Sequence, residues 1–214
     1  MSALPAKAPP GRPKDLEKRA AILEAAKRLF PAQGFDGTSM DAIAAEAGVS
    51  KLTVYSHFKD KDTLFFETVC AKCEEQLPHA IFEIKRDAPL REQLTQIGRA
   101  FFRLITSQEA MSLHRLMTAQ PSEKLAGLFW EAGPRRLQGE LANFFRAEVA
   151  EGALDIPDPE RAASQFLCLL KGEPHARMSY GCCDCVASAD AEAHIQSVVE
   201  LILRAYGPRG TIAP

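Results

Sequence analysis

A chain of 214 residues, 46% hydrophobic and 25% charged, is long enough for one or two domains with a sizeable core. Its 13 Gly and 14 Pro are too few for a collagen-like, low-complexity or wholly disordered protein. The net charge of −2 hides an asymmetry: residues 1–61 carry ten Lys or Arg against seven Asp or Glu, and the rest carries sixteen against twenty-one.

Residues 1–13 hold four Pro and one Gly and read as a flexible basic arm. The opening MSALPAKAPPGRPK has no apolar core of a signal peptide, and no stretch approaches the roughly 18 to 20 apolar residues of a membrane span, so a cytoplasmic protein with no membrane association is expected. Arg12, Lys14, Lys18 and Arg19 fall within eight residues, a cluster that suits a polyanion. From Leu16 to Phe30 apolar residues recur at threes and fours, predicting an amphipathic helix that Gln33-Gly34 ends. Further helical patterns run at about 40–47, 51–57, 61–84, 89–107, 109–119, 122–151, 158–178 and 190–206. No alternating strand pattern and no fixed repeat stand among them, so the fold is expected to be all-α with about nine helices and a division near residue 60.

Gly37 to Phe58 carries the most information. Thr38 with Asp41 approximates a capping box for a first helix, and Ile43 and Ala47 give it one apolar face. Gly48 supplies the positive φ of a tight turn, Val49 plugs the corner, and Ser50 is an N-cap for the next helix. In that short helix Val54 and Phe58, four apart, face the core, which turns Lys51, Leu52, Thr53, Tyr55, Ser56 and His57 outward. A helix of this size fits the major groove of B-DNA, its first residues at base edges and its flanking hydroxyl, imidazole and ammonium groups at phosphates.

Residues 12–66, with Gly34-Phe35, Thr38-Ser39-Met40, Ile43-Ala44, Ala47 to Ser50, Thr53 to Phe58 and Lys61 to Phe65, resemble the DNA-binding domain of TetR-family transcriptional regulators. The resemblance implies a homodimeric repressor: a helix-turn-helix unit at 14–60 binding a palindromic double-stranded operator, and a ligand-binding and dimerisation unit at 61–214. It assigns base reading to Lys51, Leu52, Thr53 and Ser56 and phosphate contact to Tyr55, His57 and Lys61, with Thr38, Ser39 and Ser50 beside them. Leu52 departs from the small residue or proline usual in the family and offers only apolar contact. Arg12 and Lys14 of the arm suit a minor groove.

The resemblance also implies an effector that opposes DNA binding. Phe101, Phe102, Ile105, Met111, His114, Met117, Phe129, Trp130, Phe166 and Leu170 come from the helices that line the family's cavity, with His175 and Arg177 as further polar candidates. They suit a small hydrophobic, aromatic or phenolic ligand. Leu128 to Pro134 resembles the C-terminal domain of a TetR subgroup that includes regulators of multidrug efflux, which implies an efflux or stress operon and a link to antibiotic resistance. Apolar faces at 162–170 and 195–202 are wide enough to pair across a two-fold axis.

The alternative is a thiol sensor of oxidants or electrophiles. Cys70 and Cys73 are one helical turn apart, and Cys182-Cys183-Asp184-Cys185 falls in an expected loop before the last helix, but that spacing is poor for zinc and free thiols are expected. There is no G-x-S-x-G, no phosphate-binding glycine loop and no His pair at metal spacing, so neither an enzyme nor a cofactor is expected.

Overall fold

The computed structural model describes the backbone of residues 12–83, 88–119 and 121–208, and the side chains in those ranges from Asp15 onward. Residues 1–11 of the expected arm and the side chains of residues 12–14, Arg12 and Lys14 among them, lie outside the described residues, and the backbone of Arg12 and Pro13 already belongs to the first helix. Among the described residues there are ten α-helices and no strand: α1 (Arg12–Gly37), α2 (Met40–Glu46), α3 (Lys51–His57), α4 (Lys61–Gln76), α5 (Leu90–Thr106), α6 (Gln108–Ala119), α7 (Glu123–Ala132), α8 (Pro134–Ala150), α9 (Pro159–Ser179) and α10 (Ser188–Tyr206). A 3₁₀ turn, His79–Phe82, follows α4.

The first helix does not end at Gly34 but kinks there, at φ 76°, and runs on to Gly37, and two further differences from the expected boundaries are set by proline. The pattern at 61–84 stops at Gln76, because Pro78 disfavours the helical backbone at Leu77 and has no N–H to donate. The pattern at 122–151 is divided at Gly133, and Pro134 opens α8 at the first helical position, where a missing N–H costs nothing.

The first three helices close over Ile22, Ala26, Phe30, Ile43, Val54 and Phe58, all buried. α1 then packs on both α4 and α6, so this head is fastened to the body through two helices. The body core is built from Leu94, Ile97 and Phe101 of α5, Leu141, Phe144 and Phe145 of α8, Phe166 and Leu170 of α9, and Val199 and Ile202 of α10. α5 and α10 cross so closely at Gly98 that a Cβ there would meet Ile195 Cγ2 at 2.9 Å.

α9 bends at Gly172, whose φ of 45° no other residue adopts cheaply. Two residues on, Pro174 cannot donate to the carbonyl of Leu170. His194 of α10 fills the gap with Nε2 3.0 Å from that oxygen, so it carries the proton there and donates. The wide apolar faces expected for pairing across a two-fold axis are mostly spent inside the subunit: Ala162, Ala163, Phe166, Leu170, Val199 and Ile202 are buried, whereas Leu169 and Leu201 face outward.

Among the described residues two buried side-chain atoms make no hydrogen bond, His57 Nε2 and Glu148 Oε1, and the second is a carboxyl oxygen. Glu148 of α8 is 4% exposed and its Oε1 makes no hydrogen bond. Burial, reinforced by Glu151, raises its pKa. A carboxyl whose folded pKa is raised destabilises the protein above its unfolded pKa, and the loss is relieved as pH falls through the folded value. Glu148→Gln is therefore expected to gain melting temperature on the parent as pH rises from about 5 to 8, by roughly 2–4 °C for each kcal/mol of penalty removed. Parallel melting curves across that range would show that the carboxylate carries no such penalty.

Candidate functional site

The exposed face of the head is set by local capping. Ser39, not Thr38, caps α2, its hydroxyl accepting from the Ala42 amide at 3.0 Å. Thr38 is fully buried and donates to the Gly34 carbonyl at 2.7 Å, so its side chain is withdrawn from the surface where it was expected. Gly48, at φ 65°, ends α2 in a left-handed turn, and Ser50 caps α3 by accepting from the Thr53 amide at 3.1 Å.

This presents Lys51, Leu52, Tyr55 and Ser56 outward, with Leu52 80% exposed. Thr53 is half-buried, its hydroxyl 2.8 Å from that of Ser50. Lys51 is paired with Asp41 of α2 at 2.8 Å, an exposed contact that a phosphate or a base edge can displace. Two expected contacts are less available than the spacing implied. The His57 side chain is only 10% exposed, and its Nε2 lies 3.1 Å from the Asp15 carboxylate at an angle that makes no hydrogen bond. Lys61 donates to the carbonyls of Phe35 at 2.7 Å and Thr38 at 3.1 Å, and its ammonium sits 4.3 Å from the Phe35 ring centroid.

Below the head lies a cavity of about 250 Å³. It is lined by Phe30 of α1, Phe65, Thr68, Val69, Lys72 and Cys73 of α4, Phe101, Leu104 and Ile105 of α5, and Leu113 and His114 of α6. Phe129 and Trp130 of α7, Leu137 and Gln138 of α8, and Ser164, Leu167, Cys168, Lys171 and His175 of α9 line it as well. Of the candidates read from the sequence, Phe101, Ile105, His114, Phe129, Trp130 and His175 meet here. His114 and His175 lie edge to face, their ring centroids 5.8 Å apart. Burial, followed by the charges of Lys171 and His114, lowers the pKa of His175.

The other candidates do not line this cavity. Phe102 packs against His194 on the α10 side, and Phe166 is locked edge to face with Phe145 in the α8–α9 core. Leu170 is fully buried under Gly98, and Met111 is buried away from the cavity wall. Met117 lines a smaller recess of about 200 Å³ with Gly34, Asp36, Asp62 and Lys124, where the head meets α6 and α7. None of the ligand candidates read from the sequence lies on the α4 wall. Its signal was the spacing 65, 68, 69, 72, 73, one face of the helix that follows the head.

The thiols are unequal. Burial pushes Cys73 up to about 12 and raises Cys70 as well, so neither is a ready thiolate. Cys168, Cys182 and Cys185 are exposed. Among the described residues no group of three His, Cys, Asp or Glu is placed to hold a metal ion, and no helix is long and apolar enough to cross a membrane. Alkylation of the folded protein with iodoacetamide at about pH 7.5 is expected to modify Cys182 and Cys185 and to spare Cys73 until denaturant is added. Modification of Cys73 at the same rate would contradict its burial.

Residues 22–68 match the family described as bacterial regulatory proteins of the tetR family, and residues 92–208 match the AefR-like transcriptional repressor C-terminal domain. The chain is 25% identical to the HTH-type transcriptional regulator YhgD of Bacillus subtilis over 156 residues, 71% of this chain and 80% of that protein. A solved structure from Mesorhizobium loti assigned to the same family has a TM-score of 0.76 at 30% identity, over 91% of this chain and 98% of the other. The flavonoid-responsive regulator FrrA has a TM-score of 0.71 at 33% identity, over 90% of this chain and 98% of its own.

Proposed function

Because the chain belongs to the TetR family of DNA-binding transcriptional regulators and is not an enzyme, we propose that it is a repressor that binds a palindromic operator as a homodimer and is released by a small apolar, aromatic or phenolic effector. The observation that carries this reading is the position of α4, which follows the helix-turn-helix directly and forms one wall of the cavity. The similarity to a flavonoid-responsive regulator supports an aromatic, hydroxylated ligand. An apolar inducer of that kind suits an efflux or stress operon as the regulated target.

In this reading residues 14–60 engage DNA and 61–214 hold the effector and the second subunit. Lys51, Thr53 and Ser56 read bases, Leu52 offers apolar contact, and Tyr55 and His57 hold phosphates near the capping hydroxyls of Ser39 and Ser50. Lys61 joins them by exchanging two carbonyls for a phosphate oxygen. Arg12 and Lys14 reach the flanking minor groove. Leu169 and Leu201, exposed on α9 and α10, face the partner subunit.

Selection of genomic fragments by the purified protein, followed by footprinting, tests the operator; an inverted repeat protected by two subunits is expected, and no enrichment over bulk DNA overturns the reading. On that site Lys51→Ala is expected to relax sequence choice at one position at a cost of about 1–3 kcal/mol. Tyr55→Phe and Lys61→Ala weaken all sequences alike, and Lys61→Ala lowers the salt slope of log affinity by about one. A weaker Lys61→Ala variant with an unchanged slope would make Lys61 a brace of the 35–38 turn instead.

A further inference from the structure

The cavity wall is mainly apolar, with Thr68, Gln138, Ser164 and two histidines among its polar groups, and its charges are unbalanced. Three ammonium groups, Lys27, Lys72 and Lys171, stand against one carboxylate, Glu109. Lys27 is already held by Glu24 at 2.8 Å and by Glu75. Lys72 is different: its side chain is only 26% exposed, and its partner Glu109 lies 3.9 Å away, beyond hydrogen-bond reach, on a side chain 53% exposed. Such a pair is loose and screened by water, and it compensates poorly for covering an ammonium with apolar wall. Lys171 of α9, an exposed residue at the cavity, has no ion pair among the described residues. The histidines do not offset this excess, since a neutral imidazole adds hydrogen bonding and no negative charge.

Resting on the reading of this cavity as the effector site, we infer that the effector is an amphiphilic acid. Its ring-bearing body lies among Phe65, Phe101 and Trp130, and its anion sits between Lys72 of α4 and Lys171 of α9. The acid takes the place of Glu109 at Lys72, forming a direct charge-assisted hydrogen bond where the protein offers only a distant one. A neutral isostere fills the same apolar space and leaves Lys72 as it was. Exchanging a partner on α6 for a ligand that bridges to α9 changes what holds α4, so the charge of the effector, and not only its bulk, bears on the helix behind the DNA-binding head. The lysines do not distinguish a carboxylate from an acidic phenolate, because each presents an anionic oxygen.

The test uses the full chain and two probes of one shape, para-tert-butylbenzoate and para-tert-butylbenzamide. Trp130 is the chain's single tryptophan and lines the cavity, so its emission reports binding, and thermal melting gives a second readout. The benzoate is expected to bind about tenfold tighter than the benzamide. Lys72→Met brings the two within roughly threefold by weakening the benzoate alone, its benzamide affinity showing that the cavity is intact. Lys171→Met narrows the ratio in the same direction, and Glu109→Gln widens it. Equal affinity for acid and amide in the parent, or a ratio untouched by both lysine substitutions, overturns the charged site and leaves the cavity as an effector site. No response of Trp130 emission or of melting to either probe overturns the charged site and the effector cavity together.

Discussion

Three phenylalanine rings, Phe30, Phe35 and Phe65, form the joint between the head and the body. Phe65 stands edge-on to Phe30 at 5.2 Å and to Phe35 at 5.5 Å, and Phe30 and Phe35 stack at 5.9 Å. Phe30 and Phe65 are also cavity wall, so one cluster touches both the ligand space and the head. Close-packed rings of this kind do not deform gradually; they keep their arrangement or exchange it for another. Phe35 extends the contact, because its ring lies under the Lys61 ammonium and its carbonyl accepts from it. The same ammonium binds the Thr38 carbonyl one residue before the cap of α2. A continuous set of contacts therefore runs from the cavity, through one aromatic cluster and one lysine, to the start of the helix-turn-helix.

That continuity matters because an effector can shift DNA affinity only by the difference in its own affinity for two arrangements of the protein. A ligand that filled space equally well in both would bind without releasing anything. Most of the wall is apolar and tolerant of shape, so the groups best able to discriminate are those with direction and charge. Lys72 sits on α4 two turns beyond Phe65, on the same side of the helix. A change of partner at Lys72 and a change of packing at Phe65 thus act on one rigid element.

The head was legible in the sequence because its structure is local. Gly48, Val49 and Ser50 each satisfy a requirement within four residues, and the turn, the caps and the exposed face of α3 follow from them. Even there the choice between Thr38 and Ser39 as cap depended on a tertiary contact, since Thr38 spends its hydroxyl on the α1 carbonyl of Gly34. His57 shows the same dependence: periodicity turns it outward, yet its side chain is only 10% exposed, beside the Asp15 carboxylate and the Phe58 ring. The cavity was legible only in part. Aromatic richness drew attention to α5, α6 and α7, yet it does not separate a ring that lines space, such as Phe101, from one locked in core, such as Phe166. The α4 wall carries Thr, Val, Lys and Cys, residues that read as an ordinary amphipathic face until a cavity is seen beneath them.

The bend in α9 shows why these assignments needed the fold. Ser164, Leu167, Cys168, Lys171 and His175 are spaced by threes and fours and share the cavity side, whereas Ala162, Phe166 and Leu170 turn to the core. Pro174 and Gly172 interrupt the helix between Lys171 and His175, the two residues that give this wall its polarity. The interruption leaves the Leu170 carbonyl without its regular donor, which α10 supplies from His194. A Cβ at Gly172 would meet His194 Cε1 at 2.7 Å, so the bend and its histidine require each other. α10 thereby holds the bend that sets the charged edge of the cavity, although it lines none of the cavity itself.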